Sequence, residues 1–466
     1  MTESTGIPPA SSAADLVDWR TATTLARLGT PAGPVVPAPV RRSTVELLRR
    51  SAIEAPAWVG RITGLRRAAQ LAADRTEVLV VDRAGLQRAS AEALQGVLTR
   101  VDAPCLSGRL ARAGCLPATV QLAGALGAVS TRLLGQVVPV MAGQRPAAGR
   151  RRPGPATAKA LVTSRILLVA PNVLALQRRL DLDLLDLPAW ICLHEAAHAV
   201  QLAVAPWLAE QIVSDLAAVL GAVLGLGAVA QAAGGVRGAQ ARSAGLLTDT
   251  GQASDQAGSP TGAAGQAAAG QVSTGQAANL TGITGQAGTE GGGQAGTDQA
   301  GTGHGGAEPG PSPVSTVLGR LTRIAAVARL DGPTPARLGC VLGEEGRERL
   351  ARLVATLTFL EGHAEVVLDA VEPAQMPSVY RLRSLLAHSR RREQGVGPGL
   401  GLGSLVYRLA GLEAKRAQYA TGAAFARAVV ERVGHTGLNA AWAGPEMMPR
   451  SEELEHPRAW MDRVLG

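Results

Sequence analysis

Aromatic side chains are scarce in this chain, with two Phe, three Tyr and six Trp among 466 residues. That leaves little with which to stack nucleic-acid bases. Lysine is scarcer still, found only at Lys159 and Lys415, so the formal charge of +9 rests on arginine spread along the chain. The clusters Arg150-Arg151-Arg152 and Arg390-Arg391-Arg392 have no aromatics between them and read as solvated loops, and no nucleic-acid partner is expected. Four cysteines, Cys105, Cys115, Cys192 and Cys340, show no Cys-x-x-Cys spacing, which excludes a redox or zinc-ribbon motif and fits a reduced compartment. The opening Met1-Thr2-Glu3-Ser4-Thr5 offers neither a basic region nor an apolar leader. The most membrane-like run, residues 216–230, is broken by Gly221, Gly225 and Gly227 and falls short of the ~20 residues a span requires. A cytoplasmic protein without a membrane partner is expected.

Between residues 233 and 313 the chain lacks aromatics altogether and is dominated by Gly, Ala, Gln, Thr and Ser. Gly-Gln-Ala recurs at Gly251, Gly265, Gly275, Gly285 and Gly293. Such a segment buries too little apolar surface to offset the entropy of ordering it. It reads as a disordered insert, and His304 inside it as irrelevant to any metal.

What the chain does have is His194-Glu195-Ala196-Ala197-His198. Two imidazoles four residues apart share one face of a helix and can grip one zinc ion, leaving the intervening Glu195 to act on a zinc-bound water. Leu187-Pro188 opens the segment as proline opens helices, Trp190, Ile191 and Leu193 supply an apolar face, and Pro206 marks its end. Unpaired imidazoles inside such a helix would be costly. Cys192 falls on another side of the helix and is not counted as a ligand.

A second helical stripe runs through Leu350, Leu353, Val354, Leu357 and Leu360, and continues through Glu361 and Ala364 to Leu368. It places the Glu361 carboxylate on a buried face, which is expensive unless the group is paired or bound to a cation. Glu361 is therefore the expected third ligand. Glu365, one turn on, is expected to accept a hydrogen bond from a ligand imidazole. His363 is rotated by about 200° from Glu361 and competes for the metal only if the helix is distorted.

Leu193-His194-Glu195 through His198, Gln201 and Pro206-Trp207-Leu208, together with Leu360-Glu361-Gly362-His363-Ala364-Glu365-Val366-Val367, resembles the zincin-like metallopeptidase type 2 family of actinobacteria and relatives. Members of that family are often described as hydrolases or as associated with deazaflavin-coenzyme biosynthesis. Val80-Val81-Asp82-Arg83, Leu134-Gly135-Gln136, Leu168-Val169-Ala170-Pro171-Asn172, Gly411-Leu412-Glu413-Ala414-Lys415, Gln418-Tyr419 and Trp442 with Pro445-Glu446 extend the resemblance outside the insert and the extreme N-terminus. In the wider group of zincins with a glutamate third ligand, the first glutamate of Glu-Gly-x-Ala-Glu supplies it, which implies Glu361. One departure is the loop after Gln136, where Val137-Val138-Pro139 replaces an aromatic and an acidic residue.

The motif implies a zinc-activated water attacking an amide bond of a peptide or protein substrate, with Glu195 as general base. Tyr419 and His435, both in the family-like C-terminal segment, are the expected hydrogen-bond donors to the tetrahedral intermediate. Two other functions fit parts of the pattern: a non-catalytic zinc-binding scaffold of the same fold, and an arginine-rich nucleic-acid binder. An intact Glu195 favours hydrolysis, because structural zinc more often has four protein ligands.

Helices are expected over residues 44–53, 90–99, 119–134, 314–330, 344–371, 382–389, 402–430 and 457–464, and short buried strands over 78–82 and 165–170. The fold class is α+β, predominantly helical: a zincin-like domain in two parts, residues 16–232 and 314–466, interrupted by the insert at 233–313 and preceded by a disordered N-terminus at 1–15. Long flexible loops add closure entropy only slowly with length. Deleting residues 239–309 is thus expected to leave zinc content and melting temperature nearly unchanged, and a large drop in either would show that the tract packs on the domain.

Overall fold

Two of the apolar runs become neighbouring strands: Thr76–Val81 (β1) pairs in parallel with Ser164–Val169 (β3), in a register from Thr76 opposite Ser164 to Val81 opposite Val169. A third strand, Gly135–Pro139 (β2), runs antiparallel to β3, so the strand order is β1-β3-β2. The segment after Gln136 is therefore an edge strand and not a loop. All five of its residues are buried, so it shows none of the alternation by which a half-buried strand is recognised.

In this computed structural model, residues 12–103, 109–140, 163–224, 342–392 and 416–466 are described. The repetitive segment, the expected helix over 314–330, His304 and the Arg150-Arg151-Arg152 cluster lie outside them. Around the sheet the chain is helical. Before the insert come Trp19–Leu28 (α1), Ala38–Thr63 (α2), Arg66–Arg75 (α3), Arg83–Leu98 (α4), Arg109–Ser130 (α5), Ala170–Leu180 (α6), Asp186–Val204 (α7) and Trp207–Leu224 (α8). After it come Glu344–Asp369 (α9), Val379–Arg392 (α10), Arg416–Leu438 (α11), Ser451–Glu455 (α12) and Pro457–Val464 (α13). The α+β, mainly helical class is as expected. Periodicity understated α2 and α4 and missed α1, α3 and α6, which are only 10, 10 and 11 residues long.

Local chemistry starts several helices. The Asp18 and Asp82 carboxylates accept from the Thr21 and Gly85 backbone N–H groups, capping α1 and α4. Helix α7 ends at Val204, just before Pro206, and α8 leaves at 99° to it. Among the described residues no single helix is long and apolar enough to cross a membrane; α7 and α8 meet that test only as a bent pair.

Helix α7 is the axis of the molecule. From Leu187 to Gln201 every residue except Ala189 is buried, so the helix is covered on all sides, as its nearly unbroken apolar composition demands. Helices α2 and α3 cover it along one flank, β2 and β3 along another, and α9 along a third. At its start the Asp186 carboxylate accepts from the backbone N–H and the hydroxyl of Ser378, tying α7 to the turn that leads into α10. The described residues before and after the repetitive segment thus belong to one unit, formed by Met1–Ala233 and Pro311–Gly466.

Helix α9 is held against α11 by a contact that only glycine permits. A methyl group at Gly362 would fall on the backbone of Gly422, and one at Gly422 would fall on the Thr358 carbonyl. The two backbones touch one residue away from Glu361. Gly362→Ala or Gly422→Ala is expected to lower unfolding free energy by about 1–3 kcal/mol or more. Denaturant unfolding measures it, and an unchanged midpoint would show that these helices are not packed backbone to backbone.

Candidate metal centre

Helical spacing on α7 brings His194 and His198 onto one face, with ring centroids 4.8 Å apart and ring planes at 83°. Their Nε2 atoms are 3.1 Å from each other. From α9, the Glu361 carboxylate reaches His194 Nε2 at 3.4 Å and His198 Nε2 at 3.7 Å. All three side chains are buried, and their ligand atoms lie within 4.8 Å of one another. No other such group of His, Cys, Asp or Glu occurs among the described residues.

The arrangement fits a zinc ion. Two nitrogens bound at ~2.0–2.1 Å in tetrahedral geometry lie about 3.3 Å apart, close to the observed separation. Two lone pairs so near each other in an apolar interior require either a proton or a cation between them. In the metal-free protein the two rings respond unequally. Burial lowers the pKa of both; at His194 the hydrogen bond and charge of Glu361 outweigh it and the net direction is up, whereas at His198 burial prevails and the direction is down.

Glu195 lies between the two histidines in sequence and is wholly buried. Neither of its carboxylate oxygens has a hydrogen-bond partner. Burial pushes its pKa up to about 8 against the pull of His194. The carboxylate lies against β2 at Gly135, where a Cβ would come within 2.7 Å of Glu195 Cγ and Oε1. The edge strand therefore has a glycine where the acid needs room.

Behind the ligands is a residue to which sequence reasoning assigned no role. Gln201, one turn beyond His198 on α7, meets His198 Nδ1 at 2.9 Å through its Oε1, and its Nε2 donates to the Leu360 carbonyl at 2.9 Å. The same Nε2 lies 3.0 Å from His363 Nδ1. The hydrogen bond expected of Glu365 to a ligand ring is thus made to His198 by Gln201, while His194 Nδ1 has no partner. Glu365 is half-buried, and its charge favours the protonated forms of both ligand histidines. The available signal for Gln201 was a polar residue in an apolar helix, three positions after His198 and on its face.

His363 is fully buried away from the metal cluster, as its rotation from Glu361 implies. Its ring packs between Phe359 and Trp442, at 6.4 and 5.1 Å. Burial, aided by the neighbouring charges of His435 and His198, pushes its pKa down to about 3. His435 follows the break in α11 at Gly434 (φ 69°) and bears on His363, with no bond to a metal ligand among the described residues. The backbone of Tyr419 lies in α11, but its side chain lies outside the described residues. Cys192 is buried and donates to the Leu48 carbonyl, apart from the ligands.

The family model described as zincin-like metallopeptidase matches residues 17–268 and 325–461, spans that include His194, Glu195, His198 and Glu361. The chain belongs to that family. Among solved structures it is similar to one from Chloroflexus aurantiacus, named a "putative hydrolase with a novel fold", at 19% identity and a TM-score of 0.49 over 96% of this chain and 98% of that one. No curated protein matches.

The contact between Gly135 and Glu195 generates its own expectation. Gly135→Ala should displace the acid or the strand and lower stability by about 1–3 kcal/mol, while the three ligand side chains keep their metal. Unfolding curves and elemental analysis of the purified variant check both parts. Full stability would mean that the carboxylate does not press on β2.

Proposed function

We propose that the protein is a zinc-dependent hydrolase of peptide bonds, with a peptide or protein as substrate. The observation that carries this reading is the Glu195 carboxylate, buried without a hydrogen-bond partner beside three convergent ligands. An isolated buried carboxylate costs several kcal/mol, and a purely structural metal site would have no use for it. His194, His198 and Glu361 would hold the ion, which when bound supplies Lewis acidity and a water of lowered pKa. Glu195 accepts the proton of the attacking water on its carboxylate and returns it to the leaving amine. The donors suggested for the developing oxyanion are Tyr419 and His435, and the charge of His435 is felt at His363.

The scaffold alternative keeps the same ligands and differs only in the use of Glu195. A nucleic-acid partner has less support, because many described arginines are paired: Arg100 with Glu210, Arg352 with Asp215, Arg427 with Asp369 and Arg463 with Glu453. A cytoplasmic location is proposed on the cysteines, of which Cys115 and Cys192 are free, as a reduced compartment would leave them.

The purified protein is expected to carry about one zinc per chain, and His194→Ala or Glu361→Ala to lose it. Glu195→Gln should retain zinc and melting temperature yet lose turnover on a peptide library by on the order of 10²–10⁴-fold. Full zinc occupancy in both ligand variants would disprove the ligand set. Unchanged turnover in Glu195→Gln would move the base elsewhere, and no turnover by the parent would favour the scaffold.

A further inference from the structure

We infer that Gln201 is a positioning residue that locks the two ligand-bearing helices together and sets His198 in the one tautomer whose Nε2 is free to bind metal. The inference rests on the reading that His194, His198 and Glu361 hold zinc.

Hydrogen-bond chemistry fixes each step. A backbone carbonyl can only accept, so the end of the Gln201 carboxamide that lies 2.9 Å from the Leu360 oxygen is its NH₂. That NH₂ also lies 3.0 Å from His363 Nδ1, which must therefore present a lone pair and carry its hydrogen on Nε2. The other end of the amide is an oxygen, an acceptor only, and it faces His198 Nδ1 at 2.9 Å. Nδ1 of His198 must then hold the hydrogen. A neutral imidazole has one N–H, so His198 Nε2 is left with its lone pair, and this is the nitrogen 3.1 Å from His194 Nε2 and 3.7 Å from Glu361.

The same amide sets the helices in register. Leu360 immediately precedes Glu361, so the bond from Gln201 fixes how far along α7 the third ligand stands. Phe359 and Trp442 hold the His363 ring in its place, which in turn holds the second hydrogen of the amide. Both donors and the acceptor of this buried side chain are engaged, whereas His194 Nδ1 has no partner. His198 is thus the ligand oriented before metal arrives.

The test compares the parent with Gln201→Met, which keeps an unbranched helix-compatible side chain of similar length and removes all three bonds. Zinc affinity is measured by competition with a chromogenic chelator. Ring ¹⁵N shifts of the metal-free proteins are read at mildly alkaline pH. The parent should show His198 as the Nδ1–H tautomer and His363 as the Nε2–H tautomer. The variant should show His198 spread over both tautomers, with zinc bound roughly 10–100-fold more weakly. A parent His198 in the Nε2–H form overturns the inference, as does a variant that binds zinc as tightly as the parent. If the variant does not fold, the tautomers of the parent decide. A parent that takes up no zinc removes the metal reading and the inference with it; a parent that binds zinc beside an equally tight Gln201→Met removes the inference alone.

Discussion

Four polar side chains on the one helix that the rest of the molecule buries set the terms for everything around them. His194, Glu195, His198 and Gln201 all lie on α7, with exposures of 9% or less. Apolar packing leaves each of them without water, and each loses several kcal/mol of solvation unless something replaces it. Helix α9 supplies most of the replacement: the Glu361 carboxylate for the two ring nitrogens, the Leu360 carbonyl and His363 for the amide. Helix α9 therefore packs on α7 to answer a set of unsatisfied groups as well as to bury leucines.

That requirement propagates outward. For α9 to stand at the right height, α11 must press against it, and the Gly362–Gly422 contact removes the side chains that would hold the two backbones apart. The scarce aromatics are concentrated at this point. Both phenylalanines of the chain, Phe359 and Phe425, pack edge to face at 5.9 Å, with Trp442 on one side and Trp460 on the other. A rigid aromatic wall behind His363 limits the rotamers of every group in the chain from Trp442 through His363 and Gln201 to His198. On the opposite side the constraint is a missing side chain: β2 carries Gly135 where the Glu195 carboxylate lies.

The cluster of His194, His198 and Glu361 was legible in the sequence because its signal is local. His194 and His198 follow from a four-residue spacing, and Glu361 from a charge on an otherwise apolar stripe. The mainly helical class was legible for the same reason, since α7 and α9 have long periodic patterns. What escaped depends on contacts distant in the chain. The role of Gln201 needs α9 to be placed against α7, 159 residues away at Leu360. The strand β2 is buried on both faces and five residues long, so it has no period to detect. The use of Gly135 and Gly422 is invisible until the neighbouring element is in place, because a glycine in a sequence does not say what approaches it. Glu365 was placed on the right helix, but the bond to the ligand ring comes from an amide on the other one.

Stability and chemistry make opposite demands on the same few groups. Gln201 has both amide hydrogens and its oxygen engaged and serves order. Glu195, on the same helix and with neither carboxylate oxygen hydrogen-bonded, satisfies no polar group around it. A hydrophobic residue of the same volume would stabilise α7 better in the absence of a reaction, by the argument that replaces buried charges with apolar groups at little or no loss. Membership of the zincin-like metallopeptidase family does not by itself fix a substrate. The coexistence of an amide bonded at both its nitrogen and its oxygen and an unbonded carboxylate on the same helix nevertheless separates the two roles physically. One holds the geometry, and the other has both carboxylate oxygens unbonded, as the proposed role of accepting a proton from an attacking water requires.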